Sequence, residues 1–263
     1  MSKIRFTEPN REILARRDSI INDLTRLVDP AGLITSTDEC RAYETDALTA
    51  YRKMPLAVVL PKTTEEVSAV LKYCHDTGVK VVPRGAGTSL AGGAIPSEDA
   101  VVLGLSKMNR VLAVNYDDRF IRVEAGVTNL SVTAVVAENG FFYAPDPSSQ
   151  LACTIGGNIA NNSGGAHCLK YGVTTNNLLG VRMVLIDGSI IDLGGDYLDS
   201  AGLDLLGLVV GSEGQLGIVT EATLRILKSA EGARPVLFGF PSCEGAGKAV
   251  ADVIAAGIIP VAI

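Results

Sequence analysis

The stretch Val79-Lys80-Val81-Val82-Pro83-Arg84-Gly85-Ala86-Gly87-Thr88-Ser89-Leu90-Ala91-Gly92-Gly93 decides the fold. It reads as a strand, Val79 to Pro83, that runs directly into a glycine-rich loop. Upstream, Leu56-Ala57-Val58-Val59-Leu60 is a compact apolar strand, followed by a helix over Glu65 to Asp76. Thr63 stands at the N-cap position with Glu66 at the capping-box position, and Gly78 closes the helix. Strand, helix and returning strand make a βαβ unit that delivers its chain end to the glycines.

Glycines let consecutive backbone N–H groups converge on one anion, and Thr88 and Ser89 add hydroxyl donors. The plain alternative is an ordinary glycine-rich turn. A dinucleotide fingerprint does not fit: Gly85-x-Gly87 is followed by Leu90 at the third position, and Gly92, Gly93 and Pro96 prevent the helix whose N-terminus that motif needs. Gly247-Lys248 lacks the upstream glycine and the following Ser/Thr of a Walker loop.

Two further stretches are rich in small residues. Pro145-Asp146-Pro147-Ser148-Ser149 stiffens the approach to Thr154-Ile155-Gly156-Gly157-Asn158-Ile159-Ala160-Asn161-Asn162-Ser163-Gly164-Gly165. So little apolar volume does not suit a core strand. It suits backbone pressed against a flat, polar-edged ring, with N–H groups and Asn side chains meeting heteroatoms, or else a long structural loop. Gly211-Ser212-Glu213-Gly214-Gln215-Leu216-Gly217-Ile218-Val219-Thr220 is a glycine turn feeding a strand.

Around these, helical spacing is read over Asn10 to Leu27 and Asn129 to Asn139, the latter closed by Gly140. Strands are expected at Ala100–Leu105, Arg110–Asn115, Phe120–Glu124 and Gly217–Leu227. Asp187-Gly188 signals a hairpin between Val181–Ile186 and Ser189–Leu193. Many short strands with few crossover helices make the class α+β. Arg234–Phe240 reads as a strand, Cys243–Ala256 as a helix, and Gly257–Ile263 as the start of another strand. An apolar strand needs partners, so the last segment is read as the opening of a second domain.

The bulk composition excludes several classes. The net charge of −6 gives no reason to expect a nucleic acid partner. The five cysteines, an odd number without C-x-x-C spacing, argue against a disulfide framework and fit a reducing compartment. No apolar run approaches a bilayer span and the N-terminus lacks a signal-peptide core, so the expectation is a cytoplasmic protein with no transmembrane segment, free to dock peripherally on the inner membrane. The two histidines, His75 and His167, each stand beside a cysteine but lack ligand spacing, and no metal site is expected. Glu44, Asp46, Asp117 and Asp118 read as solvated or capping carboxylates. No residue is assigned a catalytic role, and the polar segment holding Tyr43 and Arg52 reads only as loop.

In this order and spacing the three glycine-rich stretches resemble the FAD-binding domain of the vanillyl-alcohol oxidase type, the PCMH fold. Within it they are most similar to the glycolate oxidase D subunit and D-lactate dehydrogenase group, over about Leu56 to Leu227. The resemblance implies a two-subdomain α+β fold with FAD held between the subdomains, and a division into a leading segment (1–54), an FAD-binding domain (55–230) and the beginning of a ferredoxin-like substrate or cap domain (231–263). It implies that Arg84, Gly85, Ala86, Gly87, Thr88, Ser89 and Leu90 wrap the pyrophosphate. It implies that Pro147, Ser148, Gly157, Asn158, Ile159, Asn161 and Gly164 lie along the flavin and ribityl chain, and that Glu213, Gly217, Ile218 and Val219 line the adenine half or the adjoining wall. Members with covalent flavin often carry a His in the first loop. Thr88 stands there, so the flavin is expected to be non-covalent.

The implied function is FAD-dependent oxidation of a 2-hydroxy acid such as glycolate or D-lactate to the 2-oxo acid. Electrons would pass to a quinone, a cytochrome or an iron–sulfur partner subunit. The groups that handle substrate in this family lie beyond the FAD domain, so the chain alone is expected to turn over poorly. The alternatives are a non-catalytic FAD-domain subunit of a glycolate oxidase complex and a different flavoenzyme on the same fold.

Overall fold

The computed structural model describes residues 7–196 and 202–263. The expected leading helix is two: α1 (Arg11–Ala15) and α2 (Arg17–Leu24), with the chain turning at Arg16. The basic pair at the turn is drawn to carbonyls of other segments, Arg17 Nη2 donating to Thr35 O at 2.8 Å and Arg16 Nη1 to Thr77 O at 3.5 Å. The polar stretch that follows is more ordered than expected, with β1 (Leu33–Ile34), α3 (Thr37–Cys40) and a 3-10 turn over Arg41–Tyr43.

The βαβ unit forms as its sequence dictates, with β2 (Ala57–Val59), α4 (Thr64–Thr77) and β3 (Lys80–Arg84). Thr63 Oγ1 accepts from Glu66 N at 3.1 Å, while the Glu66 carboxylate reaches back to Lys62 N, one residue beyond the usual capping-box donor. Gly78 ends the helix at φ 71°, where a side chain would be strained. β4 (Ala100–Gly104) inserts between β2 and β3, parallel to both, giving the order β1-β2-β4-β3. β2 and β4 are buried along their whole lengths, as apolar parallel strands covered on both faces must be.

The second subdomain is an antiparallel sheet. β5 (Val111–Asn115) and β6 (Phe120–Glu124) lead into α5 (Asn129–Val136) and a 3-10 turn over Ala137–Asn139. Next come the short β7 (Phe141–Phe142), α6 (Ile155–Asn161), α7 (Cys168–Tyr171), and the hairpin of β8 (Leu178–Val184) with β9 (Ile190–Gly194), turning at Gly188. α8 (Leu205–Val209) precedes β10 (Ile218–Arg225), which enters the centre of the sheet, order β5-β6-β10-β8-β9. β11 (Leu227–Lys228) pairs with β7.

Helix α4 joins the two subdomains. Val67, Val70, Leu71 and Cys74 face the first core, which also includes Val184 and Ile218 from the second sheet. Thr64 Oγ1 meets Thr220 Oγ1 at 3.0 Å in a buried contact, and Ser68 Oγ donates to Gly188 O. A second core gathers under β6, β8 and β10 against α5 and α6.

Beyond β11 one expectation holds and two do not. The helix forms as α9 (Cys243–Ala255). Residues 234–240 and 257–263 are not strands, and Leu237 is 97 % exposed. A strand exists only as one side of a ladder, and among the described residues nothing offers these segments a partner.

At the first sheet's edge, Asp99 is wholly buried and accepts from Lys80 Nζ (2.8 Å), Ser97 Oγ (2.7 Å) and Asn10 N (2.9 Å). Burial alone would raise its carboxyl, but these donors outweigh burial and hold it at about 2 against the ordinary 3.8. A depressed carboxyl stabilises the fold above its unfolded value and loses that contribution as pH falls through its folded value. Asp99→Asn is therefore expected to cost roughly 2 kcal/mol near neutral pH, with the deficit closing between about pH 4 and pH 2. Urea denaturation of both proteins across that range checks it.

Candidate functional site

The loop leaving β3 and the helix α6 meet because Gly85 has no side chain. A Cβ there would lie 2.5 Å from Thr154 Oγ1. Thr154 is itself the N-cap of α6, its Oγ1 accepting from Gly157 N at 3.4 Å. On the far side of α6, a Cβ on Gly156 would meet Ala125 Cβ at 2.9 Å, so the helix is pressed against the strand end at Ala125. The stretch read as backbone against a ring, or else as a long loop, is helical over Ile155–Asn161. Its glycines serve close packing, and Ile155, Asn158 and Ile159 turn inward.

A third wall comes from the turn before β10. Gly211 N donates to Ile159 O and Glu213 N to Ala160 O, tying this turn to α6. Glu213 takes a left-handed φ of 54°, and Gly214 at φ 77° packs against Pro83 of β3. Gly217, at φ 154°, has no room for a Cβ beside Met183 and Val184 O.

The three walls enclose a cleft of about 260 Å³. Of the residues expected at the site, Arg84, Gly85, Ala86, Gly87, Thr88, Ser89, Gly157, Asn158, Ile159, Asn161, Glu213, Gly217, Ile218 and Val219 all line it. Four do not. Leu90 is 72 % exposed, Pro147 is buried, Ser148 is on the surface, and Gly164 packs against Cys168 and Val173. Ser149, Cys153, Thr154, Gly156, Ser212 and Gly214 also line the cleft and were not singled out. Thr154 was legible as a cap, since it sits three residues before Gly157 at the start of a helix.

The polar character of the walls is uneven. Among the described residues, none of the six consecutive N–H groups from Gly85 to Leu90 donates to a protein acceptor. The α6 amides are already used: Ile155 N by Val127 O, Gly156 N by Ala125 O, Gly157 N by Thr154 Oγ1 and Asn158 N by Thr154 O. Of the N–H groups and Asn side chains expected from the second stretch, the start of α6 thus offers the cleft its side chains. Chief among them is Asn158, 1 % exposed, whose buried Nδ2 has no oxygen or nitrogen acceptor and lies beside the Cys153 thiol. The Cys153 thiol beside it is pushed up by burial, with the Ser149 and Asn158 side chains opposing the rise.

The segment before β2 also reaches the site. Arg84 Nη1 donates to Thr45 O at 2.7 Å and its guanidinium centre lies 5.5 Å from the centroid of the Tyr43 ring. Burial lowers the Arg84 pKa, with Asp46 and Tyr43 opposing. Asp46, expected to be solvated, is buried. Its Oδ1 accepts from Leu48 N and its Oδ2 has no hydrogen-bond partner. The histidines lie outside the cleft lining: His75 is exposed on α4, and His167 Nδ1 lies 2.8 Å from Asp146 Oδ2. The described residues contain no cluster able to hold a metal ion.

A model of the FAD binding domain matches residues 55–194. The chain belongs to the FAD-binding domain family. The chain is 49 % identical over 244 residues to the glycolate oxidase subunit GlcD of Escherichia coli strain K12, covering 93 % of this chain and 49 % of that protein. It is 44 % identical to the subunit of the same name from Bacillus subtilis strain 168 (83 % of this chain, 47 % of that one) and 38 % identical to a D-lactate dehydrogenase of Archaeoglobus fulgidus (93 % and 54 %). The chain thus spans about half the length of the relatives it matches. A solved alkyldihydroxyacetonephosphate synthase superposes with a TM-score of 0.81 at 22 % identity, over 98 % of this chain and 48 % of that one. The fold is the expected α+β, PCMH-type FAD-binding fold, and FAD is the cofactor of the family.

Gly85→Ala drives a methyl into the α6 cap. The expected outcome is a loss of about 1–3 kcal/mol, combining overpacking with a broken cap, read by chemical denaturation of the apo-protein.

Proposed function

We propose that this chain holds FAD non-covalently in the cleft between its subdomains, as the cofactor-binding part of an enzyme that oxidises a 2-hydroxy acid of the glycolate or D-lactate type to the 2-oxo acid. The run of unpaired amides from Gly85 to Leu90 carries the reading. Five of these residues, Gly85 to Ser89, line the cleft; amides without a protein acceptor there suit a pyrophosphate. The buried, unpartnered Asn158 Nδ2 suits a ring acceptor such as a flavin carbonyl. These residues fit the cofactor.

When bound, FAD supplies the redox chemistry, accepting the hydride equivalent from the carbinol carbon. The chain's own part is to bind, orient and enclose. Gly85 to Leu90, with the Thr88 and Ser89 hydroxyls, takes the pyrophosphate. Asn158, with Gly157, Ile159 and Asn161, takes the ring and ribityl chain. Glu213, Gly217, Ile218 and Val219 form the remaining wall. Leu90 contributes its backbone alone, since its side chain points to solvent. Pro147, Ser148 and Gly164 act behind the wall. The first loop presents Thr88 where a covalent link would need a histidine, and both histidines lie elsewhere.

The substrate class is read from the relatives' names, a glycolate oxidase subunit and a D-lactate dehydrogenase. The former's being a subunit supports electron-transfer partner subunits, such as an iron–sulfur protein. No helix among the described residues is long and apolar enough to cross a membrane; the proposed location is the cytoplasm, with peripheral docking on the inner membrane.

Flavin should remain with the chain after FAD is added and the excess removed, and should be released on denaturation. Flavin that stays attached through denaturation overturns the non-covalent assignment. Asn158→Ala is expected to weaken FAD about tenfold, the value of one buried hydrogen bond, in a fluorescence titration. Anaerobic bleaching of the flavin by glycolate or D-lactate, measured on the full product of the gene, tests the substrate class. A preparation that retains FAD and responds to neither overturns it.

A further inference from the structure

Residues 43–48 lie outside the span that matches the family model, yet they touch the first glycine-rich loop at its start and at its end. At the start, Arg84 donates to Thr45 O and lies over the Tyr43 ring. Its guanidinium is folded back beneath the loop: a Cβ on Gly87 would meet Nη2 at 2.3 Å and the guanidinium carbon at 2.6 Å. At the end, Leu48 Cδ2 lies 3.4 Å from where a Cβ on Gly92 would stand. The segment is itself fixed by a turn in which Thr45 Oγ1 donates to Tyr51 O at 2.9 Å and Asp46 Oδ1 accepts from Leu48 N at 2.8 Å. The buried, unpaired Asp46 carboxylate supplies an opposite charge near Arg84. Thr45, Asp46 and Leu48 do not line the cleft.

We propose that Tyr43 to Leu48 is a brace that fixes the backbone of the loop from Gly85 to Leu90, whose amides have no protein acceptor, and that Arg84 is a positioning residue of this brace rather than a pyrophosphate ligand. The inference rests on the FAD reading of the cleft. A guanidinium that donates to a carbonyl on one side and stacks on a ring on another is committed in both directions. Its plane also supports Gly87 from below, so the loop's curvature depends on the shape of Arg84 as well as its charge. A glycine-rich loop whose amides bond to no protein acceptor needs such support, because no hydrogen bonds of its own hold its shape.

The test is FAD affinity by fluorescence titration on the full chain, with thermal unfolding of each apo-protein alongside. Arg84→Lys keeps the charge but loses the planar fork and the stacking. It is expected to weaken FAD by tenfold or more, close to the loss in Arg84→Ala. Tyr43→Leu and Leu48→Ala, the latter in a segment that does not line the cleft, are each expected to weaken FAD several-fold while the apo-protein still unfolds cooperatively. Affinity restored by Arg84→Lys means that charge alone acts and overturns the positioning role. Unchanged affinity in Tyr43→Leu and Leu48→Ala overturns the brace. Wild-type chain that takes up no FAD overturns the cofactor reading, and the brace with it.

Discussion

Two polypeptide segments from different subdomains come within touching distance at Gly85 and Thr154, and the cleft exists because one of them has no side chain. With any Cβ at Gly85, the loop and the cap of α6 would have to separate by the width of a methyl. The neighbouring contacts inherit this constraint. The turn around Glu213 hangs on α6 through Ala160 O and Ile159 O, and Gly214 closes back onto Pro83 of β3. Loop, helix and turn thus form a closed circuit around the cleft, each fixed by the next, with α4 holding the two sheets beneath them at a set distance.

Within that circuit the chain divides the work of polarity. The α6 backbone satisfies itself against Val127, Ala125 and Thr154, so this wall is closed as backbone and open only through Asn158. The first loop does the opposite and leaves its amides unmatched. Unpaired donors are tolerable where solvent reaches them, and they become an asset once an anion replaces the water. Amides without acceptors on one loop and a buried side-chain amide on the opposite helix make the two walls chemically different, so the cleft has a direction.

Much of this could be read in the sequence. Thr63, Glu66 and Gly78 announced the βαβ unit, Asp187-Gly188 the hairpin, and Gly92, Gly93 and Pro96 the absence of a helix after the first loop. What escaped was long-range or compositional. The run Ile155-Gly156-Gly157-Asn158 looks poor in helix propensity, and only packing against Ala125 makes its glycines useful in a helix. Asp46 looked like a surface carboxylate because nothing local reveals that Arg84, far along the chain, will share its pocket. Residues 234–240 have strand composition without a strand, since pairing is a property of two segments and sequence pattern reports on one.

The position of β10 has a consequence for how the protein is made. Its neighbours in the sheet, β6 and β8, precede it in the chain, yet it lies between them and pairs with both. As the polypeptide leaves the ribosome, β6 and β8 emerge with a gap between them, and the apolar faces of Ile121, Val123, Val181 and Met183 wait unsealed. The β1-β2-β4-β3 sheet can pair meanwhile, whereas the second sheet cannot close, nor the first core receive Ile218, until residues 218–225 arrive. The glycine turn immediately ahead of β10 therefore enters with the strand that completes the sheet. The cleft acquires its last wall in the same event that seals the core beneath the second sheet.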